Sequence, residues 1–419
     1  MTLRTPVCDL LGVDYPIVGF TPSEHVAAAI SRAGGFGVLG CVRFNDPVDL
    51  DAALTWMDKN TDGHPYGIDV VMPARVPEEG TAKDLSAMVP AGHKEFVERT
   101  LLRLGVPPLA AGEQTPDGVL GWLHSVARQH VEVALSHPAR LIANALGPPP
   151  PDVIEAAHGN GMVVAALAGK AGHARRQVES GVDIVVAQGY EAGGHTGEIA
   201  SMVLVPEVVD EVGPDVPVLA AGGIGSGRQV AAALALGAAG VWMGSAWLVT
   251  EEYAIGSGAL RTALLDATSS DTVRSRIYSG KPARLLKNKW TDAWAEPGAP
   301  APLPMPLQNV LVAEAHRRLI ESGDPEVVPM PAGQIVGRLN QVRPVADVVA
   351  GLVSEAEETM RRLGSVASGG DAPPVPPREN LGSVASGGDD PPVPPRENLG
   401  SVASGGDDPP VPPRENMSS

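Results

Sequence analysis

The stretch Val185–Gly197, VVAQGYEAGGHTG, gathers the residues best suited to chemistry. His195 is the side chain whose proton equilibrium lies nearest neutrality. Neutral, it takes a proton; protonated, it pairs with an anion. Around it stand Gln188, Gly189, Glu191, Gly193, Gly194 and Gly197. Glycines let backbone approach a ligand closely and adopt positive φ. The pattern alone also fits a plainer object, a glycine-rich surface loop with an incidental histidine.

Two sets of elements must position that loop. The apolar run Ile184–Ala187 reads as a buried strand that ends at the loop. Val216–Ser245, VPVLAAGGIGSGRQVAAALALGAAGVWMGS, divides into a strand (Val218–Ala221), a Gly222-Gly223 turn, a helix near Ser226–Leu236 and a strand (Val241–Gly244). This is a βαβ unit with glycine at the carboxyl end of each strand. Such a unit suits a phosphate held by backbone N–H groups at a helix N-terminus. In a parallel barrel that site follows strands seven and eight.

These residues resemble the nitronate monooxygenase family, also called 2-nitropropane dioxygenase-like. The shared signatures are the EAGGHxG loop (Glu191–Gly197), the AAGGI turn (Ala220–Ile224), the stretch Ala231–Ser245 and the SGKPAR segment (Ser279–Arg284). The resemblance spans roughly Thr5–Gly351. It implies an α/β fold, a (β/α)8 TIM barrel that binds FMN across its mouth. Gln188, Gly193 and Gly194 are then expected beside the flavin. Gly222, Gly223, Gly244 and Ser245 are expected around its phosphate, and His195 as the catalytic residue. The implied reaction is oxidation of an alkyl nitronate by O2. Flavin-type enoyl-ACP reductases share a very similar loop and Gly-Gly turn, so an NAD(P)H-dependent flavin reductase of enoyl-ACP or quinone type is the alternative. Two positions depart from the family. The end of the first strand reads Gly19-Phe20-Thr21-Pro22 where many members have Gln-x-Pro-Met, and the third ends Gly67-Ile68-Asp69 where Gly-Val-Asn is common.

Along the chain, eight strands can be counted. The first five are Tyr15–Phe20, Gly37–Gly40, Pro65–Met72, Leu141–Leu146 and Met162–Leu167; Ile184–Gln188 and the two of the Gly-Gly unit complete the set. Helices between them, one capped by Ser23 and one opened by Asp46-Pro47, predict parallel strands with right-handed crossovers. About 73–140 is too long for one crossover and reads as a helix plus an insertion over the barrel mouth. Past Val249, helices are expected at Ala259–Ala267, Asp271–Arg276, Leu307–Ser322 and Asp347–Leu363, with Ser279–Asn288 as a basic loop. The barrel domain is thus placed at 1–362. From Leu363 an 18-residue unit occurs three times, first as LGSVASGGDAPPVPPREN and then in two copies with Asp-Asp for Asp-Ala. Its Ser, Gly and Pro offer no apolar face to bury, so 363–419 is expected as a disordered tail. Each PPVPPR resembles a polyproline ligand for an SH3-type groove, although a linker with no partner fits equally.

A net charge of −18 argues against nucleic acid or an anionic membrane as partner. Cys8 and Cys41 cannot build a disulfide framework, and no CxxC or Cys/His cluster suggests a metal. Buried thiols in a reducing, cytoplasmic setting are expected, and no apolar run has the length of a membrane span.

Overall fold

Eight short apolar segments form parallel strands in the computed structural model, which describes residues 3–72, 82–108, 124–255 and 258–369. All of these lie in one contact unit, Met1–Ala372. The strands are β1 (Ile17–Thr21), β2 (Phe36–Gly40), β3 (Tyr66–Val70), β4 (Leu141–Asn144), β5 (Val163–Ala168), β6 (Ile184–Gln188), β8 (Val218–Ala221) and β9 (Gly240–Met243). They pair in that order and close when Ile17 registers with Val241. A small antiparallel sheet stands apart: β7 (Gly194–His195), β10 (Thr272–Ser275) and β11 (Ala283–Leu286), in the order β10-β11-β7.

Alternation along each strand divides the core in two. Val18, Phe36, Val38, Leu141, Ala143, Ile184, Val186, Leu219 and Trp242 fill the barrel interior. Their neighbours, such as Tyr66, Ile68 and Val70, face the helices. That is the period-two pattern of a strand buried on both sides. Helix α1 (Pro6–Leu11) sends Val7, Cys8 and Leu11 into the interior cluster and closes the amino-terminal end. Helix α2 (Glu24–Arg32) starts where the Ser23 hydroxyl accepts the Val26 N–H, and α3 (Pro47–Asn60) where Asp46 accepts that of Val48. A β-carbon on Gly37 would sit 1.9 Å from the Ala27 carbonyl oxygen, so α2 lies directly on β2.

The remaining crossover helices are α7 (Pro151–Gly159), α8 (Ala171–Glu179), α9 (Ser201–Val212) and α10 (Gly227–Ala235). Between β3 and β4 come α4 (Ala82–Met88), α5 (Ala91–Arg103) and α6 (His124–Leu135). Helix α6 packs on α3 and α7 and is the true crossover. The other two are the insertion, and they pack on α13 (Leu307–Glu321). Phe96, Val97 and Leu101 of α5 share a satellite core with Trp290 and Trp294 of α12 (Lys289–Ala295) and with Val312 and Leu319 of α13. Here Tyr278 stacks on His316, ring centroids 5.3 Å apart. Residues 73–81 and 109–123, within the expected insertion, lie outside the described residues.

Arg318, 6% exposed, latches this layer. It donates to both Glu98 oxygens at 3.0 Å and to the Pro107 carbonyl at 2.9 Å. Glu98 is largely exposed, so the ion pair itself adds little. The carbonyl contact made by the buried guanidinium matters more. We expect Arg318→Ala to cost about 1–3 kcal/mol locally and to speed amide hydrogen exchange in α5 well before the barrel strands. Unchanged exchange in α5 would remove the latch.

The carboxyl-terminal third departs from the sequence reading in three places. Asp271–Arg276, expected as helix, holds strand β10, because Thr272 and Val273 are β-branched and pair with Leu286 and Leu285. The expected loop Ser279–Asn288 contains β11. Helix α11 (Gly258–Asp266) falls as expected. The last helix, α14 (Val345–Ala367), runs beyond Leu363 into the first repeat, so the barrel domain does not end at 362. Its Val349, Leu352, Val353 and Ala356 face the core, whereas Leu363 and Val366 of the added turn are exposed. It packs between α10 and α2 and fills the place of the eighth barrel helix. Residues 370–419, which carry the PPVPPR motifs, lie outside the described residues. Among those described, no helix is long and apolar enough to cross a membrane.

Candidate active site

His195 belongs to a strand. It sits in β7, in register with Ala283 of β11, while Gly194 faces Arg284. Backbone pairing therefore fixes its direction, which a free loop would leave to chance. Its Nε2 lies 2.5 Å from the Ser279 hydroxyl. The same hydroxyl accepts the Lys281 N–H at 3.3 Å. His195 is half-buried, and burial, helped by the Lys281 charge, lowers its pKa to about 4. The imidazole is thus neutral over the physiological range.

The residues before it are tied down in turn. The Glu191 carboxylate accepts the Ser201 N–H at 3.0 and 3.2 Å and its hydroxyl at 2.9 Å, at the start of α9. A carboxylate there also meets the positive end of the helix dipole. Arg284, 2% exposed, donates to the Tyr190 carbonyl through Nε (3.2 Å) and Nη2 (2.9 Å), and its guanidinium lies 4.5 Å from the Tyr190 ring.

The glycines serve unequal purposes. Gly222 and Gly223 take φ +91° and +72°, consecutive left-handed values that suit glycine alone, at the carboxyl end of β8. Gly244 leaves space above the end of β9: a β-carbon there would meet only Phe20, at 3.8 Å. Gly193 differs. Its β-carbon would lie 2.7 Å from the Gly333 nitrogen and 2.8 Å from the Ala332 carbonyl carbon. Packing against that backbone already explains the glycine, which the sequence reading assigned to approach by a flavin. Ser245 is drawn into the same contact, its Oγ accepting the Gly333 N–H at 2.8 Å. The segment around Gly333 carries no sequence signal that would have marked it. Ser279 and Lys281 stood inside the SGKPAR motif, but only the fold brings them to His195.

Strand alternation sends one further set inward at the mouth: Phe20, Asp69, Gln188 and Trp242, in step with the interior residues two positions earlier on each strand. Phe20 and Trp242 stack with centroids 6.3 Å apart. Asp69 is 4% exposed, and its Oδ1 makes no hydrogen bond. Burial raises its pKa well above the usual carboxylate value. A Gly-Gly turn beside open space at Gly244, an orphaned buried carboxyl and an inward amide together suit a ligand with a phosphate tail and a flat polar head, and so fit a flavin.

Residues 4–355 match the family model described as nitronate monooxygenase. The chain belongs to the nitronate monooxygenase family. Among its relatives is the Mycobacterium tuberculosis protein named "Putative monooxygenase Rv1533", 49% identical over 374 residues, covering 86% of this chain and 98% of that one. A Staphylococcus aureus protein named "Probable nitronate monooxygenase" is 27% identical over 377 residues, covering 85% and 99%. Of solved structures, nitroalkane oxidase from Streptomyces ansochromogenes aligns with a TM-score of 0.70 at 27% identity, covering 85% of this chain and 99% of that one. FabK from Thermotoga maritima aligns at 0.66 and 27%, covering 87% and 100%. This member of the nitronate monooxygenase family is therefore a flavin-dependent oxidoreductase on a TIM barrel.

Proposed function

We propose that the chain binds FMN and oxidises an alkyl nitronate with O2. The observation that carries the reading is His195, oriented at the barrel mouth by pairing in β7 and by Ser279 and kept neutral by burial and the Lys281 charge. FMN, when bound, supplies the electron transfer and the reaction with oxygen. Gly222, Gly223, Gly244 and Ser245 would hold its phosphate, and Gln188 would face its ring; Gly193 and Gly194 shape the backbone beside it. The protein's own contribution is orientation and a proton acceptor. We assign Ser279 Oγ as the acceptor from His195 Nε2–H, which leaves the lone pair on Nδ1, the nitrogen free to take a proton or to lie against the nitro group. Lys281, whose charge reaches His195, gives an anionic nitronate a favourable approach.

The test is anaerobic. The flavin-loaded protein is mixed with propyl nitronate, and separately with NADH and NADPH, while flavin absorbance is followed. Bleaching with the nitronate alone is expected. Bleaching only with a pyridine nucleotide would instead favour the reductase chemistry suggested by the shared loop. For Ser279→Ala we expect flavin uptake to be unchanged and kcat to fall about tenfold, the size of one lost orienting hydrogen bond. An unchanged kcat would mean that β7 pairing alone orients the imidazole.

A further inference from the structure

Among the described residues at the mouth, Asp69 is an ionisable group that nitronate oxidation as proposed leaves unused. Alternation along β3 turns Tyr66, Ile68 and Val70 towards the helices, so Gly67 and Asp69 face the interior. Asp69 registers with Gly40 on one side and Ala143 on the other, and neither offers a side-chain partner. The ionisable group set beside it is the thiol of Cys41, just past the end of β2, itself buried and pushed upward in pKa by burial and by Asp69. Arg43, two residues further, is engaged elsewhere: Nε donates to the Pro22 carbonyl, Nη2 to Glu24, and its guanidinium lies over Phe44. From β1, β6 and β9 the inward groups are Phe20, Gln188 and Trp242, none of them charged. Among the described residues no cation pairs with Asp69 and no donor reaches its Oδ1, so the neutral acid is the favoured form.

We propose that Asp69 acts as a neutral carboxylic acid whose O–H donates a hydrogen bond to an acceptor atom on the ring of the bound flavin. The inference rests on the FMN reading above. It gives this chain a donor of a different kind from the asparagine common at the matching position: a group that supplies a hydrogen bond only while it keeps its proton. It also bears on the substrate. A neutral Asp69 presents no negative charge at the mouth, so the approach of an anion is shaped by Lys281 without opposition from β3.

The experiment is infrared difference spectroscopy at pH 8 on the wild type and on Asp69→Asn, before and after FMN is added, with FMN affinity measured in parallel. Asparagine has nearly the same shape and keeps a donor, so folding and uptake should persist. Expected in the wild type is a carbonyl band of a protonated carboxylic acid that shifts when FMN binds; Asp69→Asn should lack it. Affinity should stay within about threefold in Asp69→Asn and fall about tenfold in Asp69→Leu, which keeps the branched outline and loses the donor. Absence of the band in the wild type, or a band unmoved by bound FMN, would overturn the proposal. Failure of every variant, wild type included, to take up FMN would overturn the cofactor reading and the donation with it. A wild type that binds FMN without moving the band would overturn the donation alone.

Discussion

Replacing His195 by asparagine lowers nitronate turnover by about 10²- to 10⁴-fold, the usual worth of a positioned acid–base group, while FMN uptake changes little. Asparagine can keep a hydrogen bond to Ser279 but has no basic nitrogen. The backbone pairing of β7 with β11 does not involve the side chain, so the loop should stay in place. Flavin absorbance reports uptake and steady-state turnover reports chemistry, and the two should separate cleanly. The wild-type rate should also fall only in acid, as pH drops through the region near 4 where the imidazole gains its proton. Full turnover in the asparagine variant would leave His195 as a structural residue of the small sheet.

The second large effect is on stability in acid. His316 is buried beneath Tyr278, its Nε2 has no hydrogen-bond partner, and burial lowers its pKa to about 3. His130 is fully buried, bonds the Phe44 carbonyl through Nε2 at 2.8 Å, and is likewise lowered by burial. The sign follows from proton counting. Near 6.5 and below, the unfolded chain protonates these histidines while the folded chain does not. Stability is therefore intact above about pH 6.5 and drains away as pH falls towards 3. For His316 alone the loss by the acid end is on the order of 5 kcal/mol. Phenylalanine at 316 keeps the stack and removes the titration. Denaturant unfolding from pH 7 to pH 4 should thus show a shallower decline for His316→Phe than for the wild type. Parallel curves would show that His316 is not held neutral in the native protein.

Much of the site was legible because its signals are local. A strand that runs straight into glycines marks a barrel mouth, and β6 and β8 have the bounds that their apolar runs suggested. Caps at Ser23 and Asp46 declared α2 and α3 in the same way. What was not legible depends on partners far along the chain. Thr272–Ser275 is a strand only because β11 lies beside it, and its short, charged sequence looks as much like a helix turn. His195 and Ser279 are 84 residues apart, and only the small sheet joins them. Gly193 reads from the sequence as a ligand contact, and its packing on the backbone of Ala332 and Gly333 is a second demand for glycine that only the fold reveals. In each case the missing information was a long-range contact.

The helix that completes the barrel arrives very late. Strand β9 ends at Met243, but the partner that covers α10 and α2 begins at Val345, and Leu3 at the other end of the chain donates its N–H to Glu357 of the same helix. During synthesis, a nascent chain that has already released all eight barrel strands still carries an uncovered apolar channel for about a hundred residues more. Such surface invites association with other chains until it is closed. Closing a loop of that length is also slow compared with local helix formation. The docking of α14 onto α10 and α2 is therefore the step that covers this surface, and the segment at Leu3 is fastened in the same event.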